Sequence, residues 1–260
     1  MLKSSKLSLH LKRTTFIFSN ILMQDLTILI PVYNEQYNLP RVEKELSAYL
    51  EIALIPSQVL FINDGSTDAS KAMIKEICKR NPSFSALHFT QNFGLSAALK
   101  AGFDAAKTEF IGYIDADLQT TPMDFNLLLA HREDYDLITG VRVDRKDSFV
   151  KRISSKIANS VRRAFTQDGM DDTGCPLKIL RTSYAKRIPM FKGLHRFLPA
   201  MILLQNGNVL QVPVRHFPRI AGEGKFGLRN RLVGPLIDCF AYRWMKRKYI
   251  SYELEKVDNE

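Results

Sequence analysis

The feature that most constrains this chain is a regular alternation of short apolar runs with helical patterns between Asp25 and Gly140. Parallel strands need long crossover connections, so this alternation predicts an α/β fold: a mostly parallel sheet with helices on both faces. The predicted strands of this half are 26–30, 59–62, 85–90, 110–114 and 136–139. In the less regular second half, we predict helices at 149–165 and 197–204 and strands at 177–180 and 209–216.

The chain has 260 residues, enough for one domain with a substantial core. No repeat or linker interrupts it, and we place the main domain at 24–228. Residues 1–23 are a basic, Ser/Thr-rich leader that we expect to be disordered, or to precede an initiation at Met23. Residues 229–260 are expected to form an amphipathic basic helix and tail.

The charge balance predicts an anionic partner. The chain carries 37 Lys and Arg against 27 Asp and Glu, a formal net charge of +10. Nucleic acid, anionic lipid and phosphorylated substrates are all attracted by such a surface. No nucleic-acid motif is present, and the positive charges lie beside acidic loops, so we expect no nucleic-acid partner. The three cysteines are far apart and contain no CxxC pair, which favours reduced thiols over a zinc site or disulfide framework.

Polar clusters follow the first, second and fourth predicted strands, where ligands of α/β sheets bind. They contain Glu35, Asp64, and the run Asp115, Asp117 and Gln119. In an extended chain, residues two apart face the same way, so the last three side chains converge on one cation. Oxygen ligands of this kind suit Mg²⁺ or Mn²⁺.

Each cluster also has a structural interpretation. The Asp115 run is compatible with a solvated turn that carries two ordinary acids. Asp64 is compatible with the start of an Asp-Gly turn, and Glu35 with an acid at a helix N-terminus. Their position after successive strands of one sheet favours a shared site.

Eight sequence runs resemble a known enzyme family. PVYNE, NDGSTD, QNFGLSAALKAGF and DADLQTTP resemble family 2 glycosyltransferases, which have the GT-A fold. GVRVDRKDSFVKR, DTGCPLKILR, HRFLPA and PVRHFPRIAGEGKFGL resemble the polyprenyl-phosphate branch, which includes dolichyl-phosphate mannose synthases and undecaprenyl-phosphate sugar transferases. The resemblance extends from about Leu26 to Ile250. It implies a metal-dependent hexosyltransferase of cell-envelope biogenesis that uses a UDP- or GDP-linked sugar and a polyprenyl phosphate.

The same resemblance implies roles for individual residues. Asp115, Asp117 and Arg142 are the expected catalytic residues, and Asp115, Asp117 and Gln119 the expected ligands of Mg²⁺ or Mn²⁺. The nucleotide-sugar would contact Pro31, Tyr33, Glu35, Ile62, Asp64, Ala116, Arg219 and Lys225. The acceptor phosphate would contact Arg142, Arg145, Arg152 and Ser155.

The acceptor chemistry favours a phosphate over a hydroxyl group. A phosphate monoester has a second pKa near 6, so it is largely dianionic at neutral pH and needs no general base. We therefore expect in-line attack with inversion, giving a β-linked product from an α-linked donor. Two alternative functions stay open: a family 2 transferase that acts on a saccharide or protein hydroxyl with Asp172 as base, and a nucleotide-sugar sensor. A structural alternative also stays open for the basic segment from Arg142 to Arg163, namely that it is merely a solvated helix.

Two departures from the family pattern limit the expectations. Many relatives have two aspartates where this chain has Asn63 and Asp64, which leaves the nucleotide open. Several bacterial relatives carry two C-terminal membrane helices that we do not find here, so we expect peripheral contact with anionic lipid at the cytoplasmic face of a membrane. The helical pattern from Arg231 to Ile250 fits either an interfacial helix or one packed on the domain, and Gly234-Pro235 is expected to interrupt its first turn.

Overall fold

The computed structural model describes residues 25–143, 160, 162–218 and 228–250. Within these ranges the apolar runs of the sequence form one sheet of seven strands. The predicted leader at 1–23 lies outside the described residues. The strands are β1 (Leu26–Val32), β2 (Ser57–Asn63), β3 (Phe84–His88), β4 (Phe110–Tyr113), β5 (Leu137–Arg142), β6 (Lys178–Arg181) and β7 (Val209–Val214).

The helices connect the strands much as the sequence predicts. They are α1 (Leu39–Ile52), α2 (Ser70–Arg80), α3 (Leu95–Ala105), α4 (Phe125–Leu129), α5 (Thr182–Arg187), α6 (Leu198–Leu203) and α7 (Leu228–Lys248). Short 3₁₀ turns at Pro122–Asp124 and Leu194–Phe197 precede α4 and α6. Of the predicted basic helix 149–165, residues 149–159 and 161 lie outside the described ranges, and 162–166 are helical.

The strand order is β3-β2-β1-β4-β6-β5-β7. The strand β6 is antiparallel to both of its neighbours, β4 and β5, and the other pairings are parallel. The expected mostly parallel sheet is therefore confirmed. Since β4 and β5 both oppose β6, they run in the same direction and end at the same edge.

The order of strands creates a crevice at that edge. The chain moves outward from β1 to β2 and β3, and then returns to place β4 on the other side of β1. The connections leaving β1 and β4 therefore diverge, which is the position where open α/β sheets bind ligands. The three polar clusters of the sequence follow β1, β2 and β4 directly.

Apolar side chains cover both faces of the sheet. On β1, Ile28 and Ile30 belong to one buried cluster and Leu29 to another, because neighbouring residues of a strand face opposite ways. The helix α1 packs on the first face and α3 on the second. The helix α3 approaches closely at Gly102, where an added Cβ would lie 2.6 Å from Leu29 Cδ1.

The last helix, α7, packs against the second face through one side. Cys239 and Tyr242 are buried, and the Tyr242 ring stacks on Phe197 with centroids 5.5 Å apart. The expected interruption at Gly234-Pro235 is wrong, since α7 continues through both residues. Among the described residues, no helix combines the length and the apolar character needed to cross a bilayer.

Candidate functional site

The loops after β1 and β2 are tied together by hydrogen bonds. The Asn34 backbone N–H donates to Ser66 Oγ at 3.0 Å, and the Glu35 N–H donates to Ser70 Oγ at 2.9 Å. The Glu35 carboxylate accepts from Asn38 Nδ2 at 2.6 Å, at the entry to α1. These contacts hold the first two polar clusters side by side, as their position after parallel strands predicts.

A cavity of about 300 Å³ opens between the loops that follow β1, β2 and β3. This volume is at the lower end of the range for small-molecule sites. Its walls are Tyr33, Asn63, Gly65, Ser66, Thr67, Lys71, Phe89, Thr90, Gln91 and Asn92. Aromatic rings, hydroxyl groups, amides and one ammonium group make this surface suitable for a base and a ribose.

The Asp64 carboxylate organises one wall of the cavity. It accepts hydrogen bonds from the backbone N–H groups of Phe93, at 2.7 Å, and Gly94, at 2.9 Å, and from Asn92 Nδ2 at 2.9 Å. It is 4% exposed. These contacts fix the loop that leads into α3, so Asp64 shapes the cavity in addition to any contact with a ligand.

Gly65 allows this loop to lie close to the end of β2. Its φ is +64°, a conformation that residues with a Cβ rarely adopt. A Cβ built there would lie 2.2 Å from the carbonyl carbon of Gln91. The Asp-Gly turn and the ligand-binding interpretation of this cluster are therefore compatible, because the turn builds the wall.

Asn63 also lines the cavity. Its Oδ1 accepts from the Ser66 N–H at 3.2 Å, which fixes the orientation of the amide. Its Nδ2 is buried and has no hydrogen-bond partner among the described residues. An aspartate at this position would offer a second acceptor instead of a donor.

The run after β4 forms a tight turn, and the predicted extended conformation is wrong. The Leu118 N–H donates to the Asp115 carbonyl oxygen at 3.1 Å, and Leu118 has a φ of +46°. The Gln119 N–H donates to Asp117 Oδ1 at 3.2 Å. This turn brings Asp115 and Asp117 together, and the side-chain alternation of an extended strand is not the cause of their proximity.

The pKa of Asp115 is raised to about 6. Burial is the main cause, and the neighbouring charge of Asp117 adds to it. The Tyr113 hydroxyl donates to Asp115 Oδ1 at 2.6 Å and opposes the shift. Burial and the nearby carboxylates raise the pKa of Tyr113 well above its ordinary value, so this hydroxyl keeps its proton. Two close carboxylates in a buried turn form a site that a cation would stabilise.

The donor set fits a hard divalent ion. Among the described residues, no group of three or more His, Cys, Asp or Glu side chains is arranged to hold a metal. Mg²⁺ and Mn²⁺ bind through one or two carboxylates and complete their shells with water and substrate phosphates. Asp115 and Asp117 therefore match an ion that binds together with a diphosphate.

Arg142 lies at the end of β5 and is held by Asp172. Its Nε donates to Asp172 Oδ2 at 2.8 Å, and a terminal guanidinium nitrogen donates to Oδ1 at 2.9 Å. The Arg142 backbone N–H also donates to Oδ2, at 3.3 Å. Asp172 is 6% exposed. This two-point pairing orients the guanidinium group and occupies both oxygens of the carboxylate that we considered as a base.

Arg142 and Asp115 lie at the same edge of the sheet. Tyr113, Lys178 and Thr139 face one another across β4, β6 and β5. Asp115 is two residues beyond Tyr113, and Arg142 is three residues beyond Thr139, in strands that run the same way. The charge of Arg142 acts to lower the pKa of Asp115, as expected for neighbouring groups.

The other predicted site residues are placed less directly. Ile62 is fully buried in the core and Ala116 is 4% exposed, so a ligand would meet them mainly through the backbone. Pro31, partly buried, pairs with Ile62 between β1 and β2. Five predicted residues lie outside the described ranges: Arg145, Arg152, Ser155, Arg219 and Lys225.

Sequence reasoning missed three features near this edge. Lys71 lines the cavity, although in the sequence it is one of many exposed lysines. Arg215 donates three hydrogen bonds to the Asp124 carboxylate, which attaches the end of β7 to the segment before α4. Lys178 lies fully buried in β6, and a lysine inside the apolar run 177–180 is the signal that would have identified it.

Two curated proteins are similar to this chain over most of its length. One is the undecaprenyl-phosphate 4-deoxy-4-formamido-L-arabinose transferase of Edwardsiella ictaluri, which is 31% identical over 221 residues, 84% of this chain and 68% of that protein. The other is the dodecaprenyl-phosphate galacturonate synthase of Rhizobium johnstonii, which is 28% identical over 229 residues, 86% of this chain and 68% of that protein.

Solved structures share the fold at low sequence identity. Glucosyl-3-phosphoglycerate synthase of Mycobacterium tuberculosis, solved with Mn²⁺, UDP and glucosyl-3-phosphoglycerate, superposes with a TM-score of 0.66 at 14% identity, covering 85% of this chain and 80% of that one. A mannosyltransferase of Pyrobaculum calidifontis, solved with GDP-mannose and Mn²⁺, gives 0.59 at 18% identity, covering 85% and 64%. These neighbours have the GT-A fold, which is therefore the fold of this chain.

The family model for "Glycosyl transferase family 2" matches residues 27–188. This range contains the cavity, the Asp115–Asp117 turn and the Arg142–Asp172 pair. The transferase of Edwardsiella ictaluri matches over 84% of this chain at 31% identity. The chain belongs to glycosyltransferase family 2.

Proposed function

We propose that this enzyme transfers a sugar from a UDP- or GDP-linked donor to a polyprenyl phosphate, with inversion at the anomeric carbon. The observation that carries the proposal is the meeting of opposite charges at one edge of the sheet. Asp115 and Asp117 lie there beside Arg142. A carboxylate pair suits the cation of a departing diphosphate, and a guanidinium group suits an incoming anion.

The donor half of the site divides between the cavity and the acidic turn. The cavity has the size and the lining for a nucleoside, with Tyr33 and Phe89 as aromatic walls. Asp115, Asp117 and Gln119 would hold Mn²⁺ or Mg²⁺, which when bound neutralises charge on the diphosphate. Mn²⁺ and a nucleotide occur together in the structures of two fold neighbours, and this supports the assignment. Arg219 and Lys225 complete the proposed diphosphate contacts.

The acceptor half favours an anion. A hydroxyl acceptor needs a general base. Both carboxylate oxygens of the candidate base, Asp172, already accept hydrogen bonds from Arg142. A phosphate acceptor needs only positioning, and a guanidinium group held in one orientation provides it. Both curated relatives are named for a polyprenyl phosphate, undecaprenyl phosphate in one and dodecaprenyl phosphate in the other. Arg145, Arg152 and Ser155 are proposed to complete the acceptor-phosphate contacts.

A matched pair of acceptors tests this proposal. The enzyme is incubated with UDP- and GDP-sugars, including GDP-mannose for the activity of dolichyl-phosphate mannose synthases, and with a short polyprenyl phosphate and Mn²⁺ or Mg²⁺. The control acceptor is the polyprenol of the same length without phosphate. We expect mass spectrometry to detect a sugar on the phosphate-bearing lipid alone. Transfer to the polyprenol, or to saccharide hydroxyl groups instead of the phosphate, would contradict the proposal.

We further propose that α7 brings the enzyme to the cytoplasmic face of an anionic membrane. While Tyr242 packs on the domain, Ile237, Phe240 and Trp244 are 62%, 59% and 68% exposed. They recur at helical spacing, and exposed cations accompany them at Arg243, Arg247 and Lys248. An apolar stripe with flanking cations fits an interfacial helix. We propose that 24–228 form the catalytic body and 229–260 the membrane-facing segment.

Vesicle flotation tests this surface. We expect the protein to float with phosphatidylglycerol vesicles and to remain below with phosphatidylcholine vesicles. Replacing Ile237, Phe240 and Trp244 by Ser should abolish flotation. The control replaces Ile52 and Leu54 by Ser; these residues are also about half exposed but lie where α1 leads into β2, away from α7. Equal flotation of both variants would contradict the proposal.

A further inference from the structure

Lys178 is a fully buried lysine at the centre of the sheet. It is 1% exposed and lies in β6, between Tyr113 of β4 and Thr139 of β5. Removing an ammonium group from water is costly unless hydrogen bonds and nearby opposite charges compensate for it. The aliphatic or aromatic residues that fill the rest of this core would avoid that cost. Lys178 is therefore expected to have a role that an apolar side chain at this position could not perform.

The contacts of the Lys178 ammonium group indicate what that role is. Its Nζ donates to Thr139 Oγ1 at 3.1 Å, to the Thr173 carbonyl oxygen at 3.3 Å and to the Cys175 carbonyl oxygen. The first acceptor belongs to β5 and the other two to the segment that leads into β6. One side chain thus fastens this segment to β5.

Both points that Lys178 holds are next to the acceptor half of the site. Thr173 directly follows Asp172, and Thr139 lies three residues before Arg142 in the same strand. Asp172 and Arg142 in turn form the two-point pair that orients the guanidinium group. One ammonium group therefore contacts the chain on both sides of the pair, next to Asp172 and in the strand that carries Arg142.

The charges around Lys178 agree with this arrangement. Burial lowers the pKa of Lys178, the Arg142 charge adds to that shift, and the charges of Asp172 and Asp115 oppose it. Two carboxylates and two cations thus lie close together between the acidic turn and the acceptor side, with Lys178 and Asp172 buried and Asp115 and Arg142 partly buried. Removing the Lys178 ammonium group would leave the carboxylates with less compensation and would free the segment 173–175 from β5.

We propose that Lys178 is a positioning residue for the acceptor: its buried ammonium group fastens the 173–175 segment to β5, and so holds Asp172 and Arg142 where the guanidinium group receives the acceptor phosphate. This inference rests on the proposed function. Lys178 itself touches neither substrate. Its contribution to the acceptor passes through Arg142, and its hydrogen-bond partners lie outside the nucleotide cavity.

Lys178→Met tests the proposal, because Met keeps an unbranched apolar stem and removes the three donors. With Mn²⁺ and donor at saturation, we expect the KM for polyprenyl phosphate to rise about tenfold or more, the effect expected for loss of hydrogen bonds from a charged group. At saturating Mn²⁺, which replaces the lost positive charge beside Asp115, the KM for the nucleotide-sugar should stay within about twofold of wild type. Lys178→Arg, which keeps a cation, should recover part of the loss.

A double-mutant cycle separates positioning from general destabilisation. If Lys178 acts through the pair, Lys178→Met combined with Asp172→Asn should raise the acceptor KM little beyond Asp172→Asn alone. Thr27→Val serves as a stability control, because it removes a buried hydrogen bond to Thr108 at the far end of β1. It should lower the melting temperature and leave both KM values unchanged.

Thr139→Val keeps the test decisive if Lys178→Met does not fold. It removes one of the three acceptors of Lys178 without changing the buried charge. A severalfold rise in the acceptor KM alone would support the proposal. Equal rises in both KM values, or fully multiplicative effects in the double mutant, would overturn it. Wild-type protein that fails to use polyprenyl phosphate at all would instead refute the proposed function.

Discussion

Metal binding should depend on pH through Asp115. The pKa of this carboxyl is raised to about 6 by burial and by the charge of Asp117. A proton on Asp115 competes with the cation, because a carboxylate must lose its proton to ligate a metal. For one competing proton with this pKa, the apparent Kd for Mn²⁺ is nearly unaffected at pH 7 and is about tenfold weaker at pH 5.

The measurement is a titration of the substrate-free protein with Mn²⁺ by calorimetry between pH 5 and pH 7.5. The Tyr113 hydroxyl donates to the Asp115 carboxylate and thereby lowers the pKa of Asp115. Tyr113→Phe removes this hydroxyl. We expect this variant to move the midpoint of the pH dependence upward by about one to two units, since a hydrogen bond to a charged group is worth about 1.5–3 kcal/mol and one unit is about 1.36 kcal/mol.

The raised pKa of Asp115 also determines how this carboxyl changes the stability of the fold with pH. A carboxyl whose pKa is raised on folding favours the folded state while it is protonated and loses that contribution as pH rises through about 6. Mn²⁺ should therefore raise the melting temperature more at pH 7.5 than at pH 5. A Kd for Mn²⁺ that is flat between pH 5 and pH 7.5, or that weakens as pH rises, would refute this reasoning.

Further substitutions have defined outcomes. Asp117→Ala should reduce turnover by at least about 10³-fold with little change in melting temperature, since it removes a metal ligand and no apolar packing; surviving activity would contradict the metal assignment. Gly65→Ala places a Cβ 2.2 Å from the Gln91 carbonyl carbon and should raise the donor KM severalfold, measured by initial rates. Tyr242→Ala removes a ring stacked on Phe197 and should destabilise the fold by about 3–5 kcal/mol in urea titrations. Product NMR should show a β linkage from an α-linked donor, and an α product would contradict inversion.

The first half of the fold could be predicted from local sequence patterns. Apolar runs and helical spacing identify the strands and helices, and the parallel arrangement follows from their alternation. The meeting of the loops after β1, β2 and β4 follows as well, because parallel strands end at one edge. The placing of Glu35, Asp64 and Asp115 at that edge needed no further information.

The insertion of β6 between β4 and β5 could not be predicted in this way. Pairing between 110–113 and 178–181 depends on contacts far apart in the chain, which no local periodicity reports. For the same reason, local sequence patterns could not predict the pairing of Arg142 with Asp172 or the contacts of Lys178. The Asp115–Leu118 turn was missed because an apolar strand followed by alternating acids also fits an extended chain.

A crystal structure with Mn²⁺ and a UDP- or GDP-sugar tests the central claim most directly, namely that the acidic turn and the cavity form one donor site. Anomalous scattering locates the ion independently of the nucleotide. We predict Mn²⁺ directly coordinated by carboxylate oxygens of Asp115 and Asp117, with the base between Tyr33 and the loop 89–92. An ion bound elsewhere, or a nucleotide bound outside this edge of the sheet, would contradict it.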